Sequence, residues 1–229
     1  MTTPQTFPCE PVFIPLGSAA VLAGDLCIPP GASGVVVFAH GSGSSRHSPR
    51  NRYVAQELQH AGLATLLLDL LTEAEEQRDI HTRQYRFDIE LLAERLVASS
   101  EWLAQQPTTR PLEQDYFGAS TGAAAALVAA ARLPERIRAV VSRGGRPDLA
   151  GDALEKVRAP TLLLVGGWDE GVLQLNQQAF ERLSCEKKLV VVPGATHLFE
   201  EPGKLEEVAR LARGWFVKHL GLARGAEHA

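Results

Sequence analysis

The chain has 229 residues, and 45% of them are hydrophobic, which is enough apolar material for one full core. Its 23 lysines and arginines stand against 27 aspartates and glutamates, a net charge of −4 that gives nucleic acid no basic field to bind. No apolar run approaches the ~20 residues of a membrane span, and the first residues carry neither the basic region nor the apolar stretch of a secretory leader. Cys9, Cys27 and Cys185 are odd in number and lack CxxC spacing. They read as reduced, buried thiols of a reducing compartment. The expectation is one soluble, cytoplasmic domain over residues 1–229, without contact with membrane or nucleic acid.

In chain order, Pro11–Leu16 and Ala20–Ile28 are extended and punctuated by glycine, and predict an antiparallel hairpin at a sheet edge within residues 1–30. Pro29-Pro30-Gly31 closes that section. From there short apolar runs alternate with helix-length segments. Val35–Ala39, Ala64–Leu68, Ile137–Val141, Thr161–Val165 and Leu189–Val192 are apolar at every or nearly every position. Such runs suit central parallel strands covered by helices on both faces. A shorter run ends in Tyr116–Phe117. Helices are predicted over Arg50–Ala61, Tyr85–Gln105, Thr121–Arg132, Val172–Leu183 and Gly203–Leu220. The apolar face of the last one could pack on the sheet or serve a homodimer. Residues 221–229 are small and polar and read as a frayed tail. The alternation predicts a doubly wound α/β fold with a mostly parallel sheet flanked by helices.

Gly118-Ala119-Ser120-Thr121-Gly122 reads Gly-x-Ser-x-Gly, preceded by an apolar run and followed by the alanine-rich Ala123–Arg132. That is the context of a nucleophile elbow, a sharp strand-to-helix turn that lifts a serine hydroxyl clear of the backbone. A serine hydroxyl is a weak nucleophile at neutral pH and needs a base that is itself oriented by a carboxylate. Asp169 follows the Thr161–Val165 run and His197 follows the Leu189–Val192 run. All three residues therefore fall beyond the carboxyl ends of predicted parallel strands, where α/β sheets place their sites. Glu170 and Asp69 are alternatives to Asp169 as the orienting acid.

These motifs resemble an α/β-hydrolase-fold serine hydrolase, close to the small dienelactone-hydrolase-like family. The resemblance spans roughly residues 35–220 and is carried by HGSGS at 40–44, GASTG at 118–122, GGWDEGV at 166–172 and GATHLFEEPG at 194–203. Dienelactone hydrolases proper use a cysteine nucleophile where this chain has Ser120, which points to ordinary esters, thioesters or lactones as small-molecule substrates. The order Ser, Asp, His is the family's. The oxyanion would take the backbone N–H groups of Thr121 and of Ser42, with Gly43 as the alternative to Ser42.

The remaining motifs carry less. His40 reads as a brace of its own loop, and His47, His60, His81, His219 and His228 as surface residues. The 41–44 stretch lacks the Gly-Lys-Ser/Thr of a phosphate loop, and no pattern suits a metal, so no cofactor is implied. Only 18 residues, 142–159, separate two strands where many relatives insert a cap. The site is thus expected to have no cap domain and to be roofed by loops, with residues 44–51 and 70–81 shaping it. Arg46 and Arg143 are candidates to clasp a substrate carboxylate. A ligand receptor that keeps an idle triad, or a peptidase, are the competing readings of the same motif.

Overall fold

The computed structural model describes residues 7–17 and 20–220. The expectation of a frayed tail at 221–229 lies outside them. Eight strands form one sheet: β1 (Cys9–Leu16), β2 (Ala20–Cys27), β3 (Gly34–Ala39), β4 (Ala64–Leu68), β5 (Glu113–Ala119), β6 (Ile137–Arg143), β7 (Thr161–Gly166) and β8 (Lys187–Val192). Their spatial order is β1-β2-β4-β3-β5-β6-β7-β8, with β1 and β2 antiparallel at one edge and β3 to β8 parallel. The doubly wound sheet and its edge hairpin are as the sequence predicts.

Helices α1 (Pro49–His60) and α6 (Lys204–His219) pack on one face, and α3 (Ile89–Gln105), α4 (Thr121–Arg132) and α5 (Glu170–Arg182) on the other. The parallel strands are buried from both sides, and this is why β3, β4 and β7 carry apolar residues almost without interruption. In α4 the alanines allow close approach: Thr121 through Ala130 are all buried. The apolar stripe of α6, made by Val208, Ala209, Ala212, Trp215 and Phe216, lies against the sheet.

Three expectations are corrected. First, residues 73–82 are not a loop but helix α2 (Glu73–Thr82), begun by a capping box in which Thr72 and Glu75 satisfy each other's amides. Second, the following helix starts at Ile89, not Tyr85, because Asp88 caps it and the buried Asp79 carboxylate takes the amides of Tyr85 and Arg86. Third, Cys9 and Cys27 are not reduced thiols. The antiparallel register sets them opposite each other and they are joined by a disulfide, leaving Cys185 free. The cysteine argument for a reducing compartment falls with that pairing. Between β6 and β7 lies only the short 3₁₀ segment Pro147–Lys156. Among the described residues no helix is long and apolar enough to cross a membrane.

Candidate active site

Ser120 stands between β5 and α4 with φ 51° and ψ −122°, a conformation that costs a non-glycine residue roughly 1–3 kcal/mol. The surroundings hold it there. Its N–H donates to Arg143 O at 3.3 Å, and its carbonyl accepts from Arg146 N at 3.0 Å and Ala123 N at 3.1 Å. The flanking glycines are required by contact: a Cβ on Gly118 would lie 2.4 Å from Ala123 Cα, and one on Gly122 2.3 Å from Ala39 O. The elbow is thus wedged between the exits of β3 and β6.

Asp169 and His197 meet because the loops after β7 and β8 are laced together. Gly167 N donates to Val192 O and Trp168 N to Ala195 O, each at 2.9 Å. A side chain on Gly166 would meet Ala195 O at 2.4 Å, so only glycine permits this approach. His197 Nδ1 donates to Asp169 Oδ2 at 2.7 Å, with the ring partly exposed. That bond fixes the tautomer and leaves Nε2 free to accept a proton. Gly144, at φ 51°, closes the distance to the elbow: a Cβ there would sit 3.5 Å from His197 Cε1, and its neighbours Arg143 and Arg146 bond Ser120. Ser120 Oγ and His197 Nε2 are not hydrogen bonded to each other.

The rival orienting acids are accounted for. Glu170 is exposed in the first turn of α5. Asp69 accepts from the Arg46 amide at 2.7 Å and from its guanidinium, which ties down the loop after β3.

In that loop His40 is buried and braces both sides. Its Nδ1 donates to Gly41 O at 2.8 Å and its Nε2 accepts from Leu70 N at 3.1 Å. Burial pulls its pKa below the usual histidine value, and the two bonds require the neutral ring. Gly41 passes directly over the nucleophile, where a Cβ would be 3.0 Å from Ser120 Cβ. Of the two expected oxyanion donors, Thr121 N–H is the first amide of α4 and belongs to the unpaired set at a helix start. The Ser42 N–H differs from expectation: it donates to Thr121 Oγ1 at 2.9 Å, so an oxyanion would have to compete with that hydroxyl.

Neither arginine is a free carboxylate clasp. Arg46 is held by Asp69 and lies 3.5 Å from Asp25. Arg143 is buried under α1, where its Nη2 donates to Asn51 Oδ1 at 3.2 Å and its Nε and Nη1 have no hydrogen-bond partner among the described residues. Burial, with Arg50 nearby, pulls its pKa down to about 10. The sequence reading missed several supports of the site. Asn176 on α5 donates to Gly145 O at 2.9 Å, and Glu201 takes the Thr196 hydroxyl at 2.5 Å beside the histidine. Arg86, clamped by Asp79, comes within 3.5 Å of where a Gly43 Cβ would be.

The sequence model of the alpha/beta hydrolase fold matches residues 34–188. The chain belongs to that family. A dienelactone hydrolase from Anabaena variabilis is 58% identical and superimposes with a TM-score of 0.92, over 94% of this chain and 99% of that one. The chain is therefore dienelactone-hydrolase-like in sequence and in fold. Est1E from Butyrivibrio proteoclasticus shares the fold at 17% identity, with a TM-score of 0.77 over 92% of this chain and 99% of that one. Two Mycobacterium tuberculosis proteins, whose names propose a phosphoribosyl transferase, are 63% identical over 199 residues. That match takes in 87% of this chain but only 44% of theirs, so the chain spans less than half the length of these relatives.

Proposed function

We propose that the protein is a cofactor-independent serine hydrolase that cleaves a small ester, thioester or lactone through an acyl-enzyme on Ser120. The observation that carries this reading is the constellation at one sheet edge: a strained serine elbow, and a histidine whose Nδ1 is held by a carboxylate at 2.7 Å.

Rotation of the Ser120 side chain toward His197 Nε2 forms the bond through which the hydroxyl proton leaves as Oγ attacks the acyl carbon. Asp169 holds the imidazolium that results. The tetrahedral oxyanion takes the Thr121 N–H, and the Ser42 N–H as it releases Thr121 Oγ1. His197 then protonates the leaving group, and a water activated by the same nitrogen releases the acyl group. The transferase proposed in the names of the longer relatives describes chains of which this one matches 44%, and is not carried over.

Fluorophosphonate labelling followed by intact-mass measurement tests the proposal. One adduct on the native chain and none on Ser120→Ala is expected. A folded native chain that takes no adduct and cleaves no short acyl ester would replace the hydrolase with the idle-triad receptor. Amide cleavage outpacing ester cleavage would favour the peptidase.

A further inference from the structure

We propose that the substrate carries an apolar arm ending in an ammonium group, received in a cavity between the edge hairpin and α2. This deepens the reading of Ser120 as an acylating serine and rests on it.

The cavity measures about 470 Å³, within the ordinary range for small-molecule sites. One side is apolar: Phe13 and Val21, both largely exposed on the hairpin, and Leu71 at the entry to α2. It opens at the exits of β3 and β4. Its near wall, at the exit of β4, is two strand spacings or about 10 Å from β5 and Ser120, and its far wall, Phe13 on β1, is four spacings or about 19 Å. His40 and Ser44 line it and also line a small neighbouring pocket with Gly41, Ser42 and Thr121. The loop after β3 lies between Ser120 and this cavity, because β3 stands between β5 and β4, and the proposed arm follows that loop outward from the nucleophile.

Charge selects the end group. The wall holds Glu73, Glu76 and Asp69 against one guanidinium, that of Arg46. Asp69 and Asp25 already take Arg46. The other acid of the same helix turn, Glu75, is paired with Arg95, and Arg86, which lines the neighbouring pocket with Glu76, is spent on Asp79. Glu73 and Glu76 are left with no cation in contact among the described residues. The amino end of α2 offsets part of their charge, but a partial dipole does not neutralise two carboxylates. An apolar surface rimmed by uncompensated carboxylates rejects a carboxylate arm and accepts an ammonium one.

The test compares 4-nitrophenyl esters of 8-aminooctanoate, nonanoate and azelate, whose arms match in length and differ in terminal charge. The ammonium ester should exceed the azelate ester in kcat/KM by about tenfold, since two partly exposed ion pairs favour one and oppose the other. In Glu73→Gln/Glu76→Gln the ratio should fall toward one. Calorimetry of octylammonium on Ser120→Ala protein reads the same site without chemistry, and binding there should weaken in the combined glutamine variant. If no ester is cleaved yet octylammonium binds through the two glutamates, the cavity assignment stands and the hydrolase reading falls. Equal kcat/KM for all three esters, or a preference for azelate, overturns the assignment. So does octylammonium binding that ignores the glutamates, or its failure to bind.

Discussion

Gly122→Ala sets two calculable effects against each other. The glycine is in the first turn of α4 at an ordinary negative φ, so alanine gains at most about 1 kcal/mol of helix propensity. The new methyl, however, would lie 2.3 Å from Ala39 O and 2.5 Å from His40 O, where ordinary contact begins at 3.4 Å. The difference, 3.4 − 2.3 = 1.1 Å, must come from moving backbone, because both atoms are carbonyl oxygens at the exit of β3. Overpacking against flexible side chains costs about 1–3 kcal/mol, and rigid backbone puts this site at the upper end. The net loss is about 2 kcal/mol or more, or about 4–8 °C in Tm for a chain of this length. The displaced segment leads into Gly41 and Ser42, so ester hydrolysis should fall with it. Gly171→Ala in α5, where a Cβ meets nothing within 4 Å, is the control and should raise Tm by about 2–4 °C. Thermal melts and an ester assay on both variants suffice. A Gly122→Ala protein within 2 °C of the parent (about 1 kcal/mol or less), with full activity, would refute the claim that the loop after β3 is seated directly on α4.

Two further outcomes follow from single residues. Asp169→Asn leaves the site's shape but removes the acceptor that fixes His197, so kcat should drop by about 10³–10⁴ with little change in KM. A loss under tenfold in steady-state kinetics would show that another group orients the ring. Asp115, in the middle of β5, is fully buried, neither of its oxygens makes a hydrogen bond of normal geometry among the described residues, and burial lifts its pKa well above the usual aspartate value. The Ala139 amide facing it offsets only part of that rise. The folded chain therefore holds a proton that the unfolded chain releases, and stability falls as pH rises above the unfolded value, by up to about 1.4 kcal/mol per pH unit. Urea unfolding at several pH values should show Asp115→Asn gaining on the parent between pH 5 and pH 8 (an interval in which an ordinary aspartate, at about 3.9, is already ionised). A stability difference that is flat with pH would mean Asp115 is ionised in the folded state.

The parts of the fold that were legible are those whose burial is simple. A parallel strand covered on both faces must be apolar throughout, and β3, β4 and β7 announce themselves for that reason. The proposed site residues come together because each follows a parallel strand, Ser120 after β5, Asp169 after β7 and His197 after β8, and the strand order carries all three to one end of the sheet. Where burial is not simple the pattern fails. The first half of β5 is Glu113-Gln114-Asp115, polar residues in a central strand, and only its Tyr116–Phe117 end stands out. Helix α2 has almost no apolar stripe, yet Thr72 and Glu75 spell a capping box that would have located its start. The cysteine pair was within reach too: once the hairpin is drawn with Leu16 opposite Ala20, Cys9 falls opposite Cys27.

Charge is the property a one-dimensional reading handles worst, and here it reverses the expected selectivity. Arg46 follows the loop after β3 and looks available to a carboxylate. Its partners, Asp25 and Asp69, are 21 and 23 positions away and come into contact only when β2 and β4 pair. Arg143 ends a strand beside the nucleophile, yet the alternation of the strand turns its side chain under α1, to Asn51. Glu73, Glu75 and Glu76 read as one acidic run, and the helix then separates them: Glu75 turns to Arg95, while Glu73 and Glu76 face the cavity. Around the cavity Arg46, Arg86 and Arg95 are each paired with another acid, and among the described residues Glu73 and Glu76 have no cation in contact. A surface expected to seek a carboxylate is thereby built to refuse one.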